Sequence, residues 1–275
     1  MRRQQARFGR RLNAMNHPIL LRVVDFAEAT DAFAGLAERF GARFAGIEYV
    51  LPASAPVGSI VAVPLAPADR RGGDDPCPVL AIATGCREVQ LDSAVEAVTN
   101  LLQLASRAGV TVLNLRLPPL ALASESTGFA RYQDALNFTY QLLRGLGLQA
   151  ESTGVVIAVE AAYGRWLLSP VELRELLDAA NSWAIGACID LARVSAVGAP
   201  IDWITTLTHR IKAVRWNFGP TSRDSIDSHE ARVDPLVIKD ALDAIVFRGP
   251  IIIPHEHARA DWVRILSGES CEALD

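Results

Sequence analysis

The sequence predicts a closed α/β barrel of parallel strands, and three observations carry that prediction. Short runs rich in Val, Ile and Leu alternate with longer amphipathic stretches along most of the chain, the pattern of βα units around a parallel sheet. The runs are almost continuously apolar, so the strands need cover on both faces. The 275-residue length lies near the roughly 250 residues usual for a barrel of eight βα units. A doubly wound open sheet lacks support, because no GxGxxG opens a helix after the first strand.

Taken in order, ILLRVVDF (19–26) reads as a strand, and TDAFAGLAERFG (30–41) as a helix stopped by glycine. FAGIEYV (44–50) and PVLAIAT (78–84) are strands. Between them, residues 52–78 carry too many prolines and glycines for a long helix. This irregular segment, with a short extra strand GSIVAVP and a polar loop ADRRGGDD, replaces the helix expected between strands two and three. Asp92 and Ser93 are positioned to cap a helix running to Gly109. VTVLNLRL (110–117) follows, then a helical pattern from about Phe129 to Leu148 and the strand GVVIAVE (154–160). SPVELRELLDAAN (169–181) has Ser as N-cap, Pro at the first helical position and Glu172 at the third, a capping box. AIGACID, a short helix through IDWITTL, RIKAVRW, the helix DPLVIKDALDAIVFRG, the strand GPIIIP and a last helix near ARADWVRILSG complete the set.

The bulk numbers narrow the function. Half the residues are hydrophobic and 21% are charged, as in a globular protein, and the net charge of −4 leaves no footprint for nucleic acid or an anionic membrane. No apolar stretch is long enough to span a bilayer. The 4 cysteines (Cys77, Cys86, Cys188 and Cys271) form no CxxC pair, which fits a reducing cytoplasm better than a thiolate metal site or a disulfide framework. Residues 1–17 are basic and arginine-rich with no apolar segment behind them, and read as a disordered extension. Residues 18–275 form one barrel domain, and a homodimer is the default assembly.

In a βα barrel the C-terminal ends of the strands build the active rim, so polar residues ending apolar strands are the candidates. Glu160 ends VVIAVE, Asp190 ends IGACID, Arg116 ends VLNLR and Glu48 sits in GIEYV. Arg215 lies near the end of IKAVRW, with Asn217 two residues on, and His255, Glu256 and His257 follow IIIP. Two carboxylates on neighbouring strands repel unless a metal, a proton or a cation lies between them. A single acid at a strand end is also commonly a cap for the next loop or a salt-bridge partner.

The order of these motifs resembles the xylose isomerase-like TIM barrels, the superfamily of sugar phosphate isomerases and epimerases and family 2 AP endonucleases. The resemblance runs from about Phe40 to Leu266. It rests on GARFAGIEY, on GVVIAVE followed by LLSPVELRELLDAANSWAIGACIDLARV, on HRIKAVRWN, and on RVDPLVIKDALDAIVFRGPIIIPHE. The resemblance implies one divalent metal (Mn, Mg, Co or Zn) held by Glu160, Asp190, a histidine and a final glutamate. It further implies that Glu160, Asp190 and Glu256 take part in catalysis. The family's ligand histidine falls on Arg215, its second histidine on Arg193 and its lysine or arginine on Asn217. The last glutamate falls on Pro254, with Glu256 two residues later on the same side of an extended chain. A histidine that some members carry falls near Arg116. Arginine stays protonated and has no lone pair for a metal, so the metal site is expected to be degenerate. A guanidinium at Arg215 is expected to lie between Glu160 and Asp190 in the metal's place.

The function implied is a sugar or sugar-acid isomerase or epimerase that moves a proton next to a carbonyl. Arg116, Arg193, Arg215, Asn217, His255 and His257 would bind the substrate. The alternative is an inactive barrel that binds a metabolite or a partner protein. An AP endonuclease is disfavoured, since its trinuclear site would need many histidines and the chain has 5.

Overall fold

The computed structural model describes residues 19–23, 44–50, 79–85, 90–107, 109–121, 128–162, 165–217, 234–254 and 266; in the first three segments and at Pro254 the backbone alone is described. Eight parallel strands close into a barrel in sequential order. They are β1 (Ile19–Val23), β2 (Phe44–Val50), β3 (Val79–Gly85), β4 (Val112–Arg116), β5 (Val156–Glu160), β6 (Ile185–Asp190), β7 (Ile211–Arg215) and β8 (Ile251–Pro254). β8 pairs with β1, which closes the ring. The described helices are α1 (Leu91–Arg107), α2 (Tyr132–Thr153), α3 (Pro170–Ala179), α4 (Leu191–Ser195), α5 (Pro200–Leu207) and α6 (Pro235–Ala244). None of these helices is long and apolar enough to cross a membrane. The N-terminal extension, the segment between β2 and β3 and the last helix lie outside the described residues, apart from Leu266.

The helix boundaries depart from expectation in instructive ways. α1 begins at Leu91, so Asp92 and Ser93 lie inside its first turn rather than capping it. α2 starts at Tyr132 and runs past Leu148 to Thr153, ending where Gly154 adopts φ 69°. That left-handed conformation costs glycine least. Ser169 is the N-cap of α3 and Pro170 opens the helix, but the serine side chain makes no capping bond. The reciprocal capping box is therefore not formed. α4 was not legible as a helix, because five residues are too few to show a period.

Alternation sorts the strand residues into two layers. Leu113, Leu115, Ile157, Val159, Ile185, Ala187, Ile189 and Val214 belong to the main core outside the sheet, packed with helix residues such as Leu102, Leu142, Leu173, Trp203 and Leu242. Val112, Ala158, Cys188, Ala213 and Ile252 form a separate cluster inside the barrel. One irregularity decides the orientation of the site. Ala187 pairs with Ile211, but Cys188 pairs with Ala213, so Lys212 is an extra residue in β7. Such a bulge reverses the facing of everything after it. Ile211 thus joins the outer core and Ala213 the inner one, and Arg215, two residues on, also faces inward.

The bulge needs room across the strand pair. A Cβ on Gly186 would collide with the Arg210 carbonyl oxygen and crowd the Lys212 side chain. Gly186→Ala is therefore predicted to cost about 1–3 kcal/mol through forced displacement of β7, read as a lower urea midpoint. An unchanged midpoint would show that the strand pair yields freely.

At the opposite end from the strand C-termini, Asp178 accepts from Arg174 Nε at 2.7 Å and from Arg210 Nε at 2.8 Å. Desolvation pushes its carboxyl up, but the hydrogen bonds and charges of both arginines outweigh this and hold it below its ordinary value. A depressed folded value means that the stabilisation is present above the unfolded-state value and lost as pH falls through the folded one. Asp178→Asn is expected to flatten part of the acid limb of a stability-versus-pH curve. A variant with the same acid limb as the parent would remove this contribution.

Candidate active site

Glu160, the last residue of β5, points into the barrel with its carboxylate fully buried. On one side Arg116, the last residue of β4, donates from Nε to Glu160 Oε2 at 2.8 Å. On the other side Arg215, the last residue of β7, places its Nη1 against Glu160 Oε1. Both carboxylate oxygens are thus held by guanidiniums, and Arg215 has no accessible surface at all. A buried charge is tolerated only when paired in this way.

Asp190 ends β6 and lies opposite Arg215 in the strand register. Its Oδ1 accepts the backbone N–H of Arg193 at 3.3 Å, making Asp190 the N-cap of α4. Its Oδ2 lies 3.7 Å from Arg193 Nε, a longer pairing than those at Glu160. The side chain of Asp190 keeps 4% of its surface accessible, whereas that of Glu160 keeps none. Arg193 is the most open of the three arginines at 39%, and Arg116 follows at 22%.

Arg215, expected between Glu160 and Asp190, rests against Glu160, which it shares with Arg116, and lies opposite Asp190 in the strand register. Arg193 serves Asp190. Asn217 follows β7 and is half-buried. His255, Glu256 and His257 lie outside the described residues, as does the Glu48 side chain. One inward-facing polar residue was passed over in the sequence. Asn114, fully buried in β4, shares the inner face with Val112 and Arg116. An amide within an otherwise apolar strand was the available signal.

The loop above β5 is unusual. Ala162, Arg165 and Leu167 have φ of 52°, 68° and 53°, a left-handed conformation that costs roughly 1–2 kcal/mol per non-glycine residue. Side chains from this loop tie it to the end of β4. Trp166 Nε1 donates to the Pro118 carbonyl at 3.2 Å and Arg165 Nε to the Leu120 carbonyl at 3.1 Å. The two strands carrying Arg116 and Glu160 are thereby fastened together just beyond the pair.

Among the described residues alone, the rim side chains do not fit a divalent metal as they are arranged. At about 4 Å and an effective dielectric near 20, a dication gains on the order of 8 kcal/mol from each carboxylate and loses a similar amount to each guanidinium. Arg116 and Arg215 beside Glu160, with Arg193 beside Asp190, would offset what the two carboxylates offer. Both Glu160 oxygens are also engaged already. Among the described residues no group of three His, Cys, Asp or Glu side chains is placed to hold an ion.

Fold and rim together define a parallel eight-stranded barrel with an ionic cluster at the C-terminal ends of β4 to β7. The chain belongs to the xylose isomerase-like TIM barrel family, whose model matches residues 74–268. No curated protein matches it by sequence. Among solved structures it is similar to the D-psicose 3-epimerase of Clostridium cellulolyticum H10, with TM-score 0.62 and 12% identity over 92% of this chain and 96% of that one. It is likewise similar to a 3-keto-D-glucoside 4-epimerase from E. coli, with TM-score 0.62 and 11% identity over 92% and 98%. A family 2 AP endonuclease from Brucella melitensis gives TM-score 0.64 and 13% identity over 91% and 97%. At such identities these likenesses establish the fold alone.

Proposed function

We propose that the protein is an isomerase- or epimerase-type enzyme that moves a proton at a carbon next to the carbonyl of a sugar or sugar acid. The observation that carries this reading is the cluster of two carboxylates and three guanidiniums at the ends of β4 to β7, the end at which such barrels place their chemistry. The sugar epimerases among its structural neighbours favour the same substrate class. A cytoplasmic location and a small-molecule rather than nucleic-acid partner fit the scattered cysteines and the acidic balance.

The roles follow from accessibility. Glu160, held at both oxygens, is the buried counter-charge that orients Arg116 and Arg215. Asp190 retains accessible surface and takes the proton from the substrate carbon. The electron pair released from the C–H bond moves into the carbonyl, and the resulting enediolate oxygen is stabilised by the guanidinium charge. Returning the proton to the former carbonyl carbon, while the neighbouring hydroxyl passes its own proton to the enediolate oxygen and becomes the new carbonyl, completes an isomerisation. Epimerisation needs a second proton carrier on the opposite face, and Glu256 with His255 and His257, which follow β8 in sequence, are the candidates. The guanidiniums supply positive charge where the family holds a metal.

Incubation with ketoses and sugar acids in deuterated water, with and without divalent metal, tests the reading. Deuterium uptake next to a carbonyl without added metal is expected. Elemental analysis showing one equivalent of Mn, Co, Mg or Zn in active protein would overturn the metal-free assignment. The second reading, an inactive barrel that binds a metabolite, is favoured by the neutralised state of Glu160 and requires ligand-induced stabilisation with no exchange.

A further inference from the structure

The chain carries 2 lysines among its 27 Lys and Arg residues, Lys212 and Lys239, and they sit in opposite circumstances. Lys239, on α6, donates from Nζ to Asp243 Oδ2 at 2.5 Å. Lys212 is the extra residue of the β7 bulge, at the end of the barrel away from the rim. Its stem lies along the inner side of β6, where a Cβ on Gly186 would come within 2.5 Å of its Cγ and 2.9 Å of its Cε. Gly186 shares its facing with Cys188, a member of the inner apolar cluster. Lys212 is half-buried there, and among the described residues it has no ion-pair or hydrogen-bond partner. The rim acids are out of its reach, since Asp190 lies four residues beyond Gly186 in β6, roughly 13 Å at the rise of a strand. Asp178 is taken up by Arg174 and Arg210. Burial first, and the neighbouring Arg210 charge second, hold the Lys212 ammonium below the ordinary lysine value. Only the neutral amine carries a lone pair, so a desolvated lysine beside another cation is a nucleophile near neutral pH.

We propose that Lys212 is an acylation site of this protein, its amine accepting the acyl group of an acyl phosphate at the barrel end opposite the rim. The Nζ lone pair attacks the acyl carbon, the bond from that carbon to the phosphate oxygen breaks with its electron pair, and the nitrogen passes its extra proton to water. The products are an amide and inorganic phosphate. The donor class follows from Arg210, whose charge favours departure of an anionic phosphate. The amide is uncharged, so acylation also relieves the repulsion between Lys212 and Arg210.

The test is incubation of the full chain with acetyl phosphate from about pH 6.5 to 9.5, with the acetyl group located and timed at each lysine by peptide mass spectrometry. Near neutral pH Lys212 is expected to react at least about fivefold faster than Lys239, which is held in its ion pair. The Lys212 rate should also level off at lower pH than that of Lys239. Arg210→Gln should slow Lys212 about twofold or more and leave Lys239 unchanged, with the thermal midpoint verifying that the variant folds. Equal rates at the two lysines, a faster Lys239, or a Lys212 rate that climbs with pH in step with that of Lys239 overturns the proposal in the parent protein alone. A folded Arg210→Gln chain that reacts at the parent rate overturns the part given to Arg210.

Discussion

Asp190→Asn is expected to lower the rate of deuterium exchange by about a hundredfold to ten-thousandfold, the range for loss of a positioned proton carrier. Asparagine keeps the shape and can still accept the Arg193 N–H that caps α4, so folding should survive. The variant therefore separates the chemical role of the carboxylate from its structural one. If exchange persisted at near the parent rate, Asp190 would be only a cap and an ion-pair partner. Such an outcome would shift the proton transfer to Glu160 or Glu256. The prediction is for kcat rather than for ligand affinity, because Arg116 and Arg193 remain in place.

Glu160→Gln is expected to destabilise the fold by about 3–5 kcal/mol, the range for breaking a buried ion pair by removing one of its charges. Arg215 has no accessible surface and its Nη1 rests against Glu160, so water cannot take over the missing charge. The partner change, Arg215→Met, should cost less, since Arg116 still holds Glu160 at 2.8 Å. In the double variant the losses should fall short of their sum by about 0.5–3 kcal/mol. Urea unfolding of the four proteins gives all three values. A loss below about 1 kcal/mol in Glu160→Gln, or strict additivity, would mean that the pair contributes nothing specific to the barrel.

Much of this could be read from the sequence because it depends on local pattern. The apolar runs marked all eight strands in their order, and the acids at the ends of VVIAVE and IGACID were correctly placed at the strand ends. What failed was local chemistry with several outcomes. Ser169 has the residues of a capping box around it, yet its hydroxyl makes no cap. Asp92 and Ser93 are good caps by type, but the helix already begins at Leu91. Asp190 was read as a rim carboxylate or as a loop cap or salt-bridge partner; it ends β6, caps α4 and pairs with Arg193.

The sequence by itself determined the barrel, the family and the arginine identity of residues 116, 193 and 215. Those are properties of periodicity and residue identity, which the linear chain contains in full. Only the tertiary structure decided which arginine serves which acid. Arg116 and Glu160 are separated by 44 residues along the chain, and their meeting depends on the closure of neighbouring strands. Arg215 reaches Glu160 because one extra residue, Lys212, turns the end of β7 inward. A one-residue bulge leaves no distinctive mark on an apolar run, yet it reverses which side chains face the site.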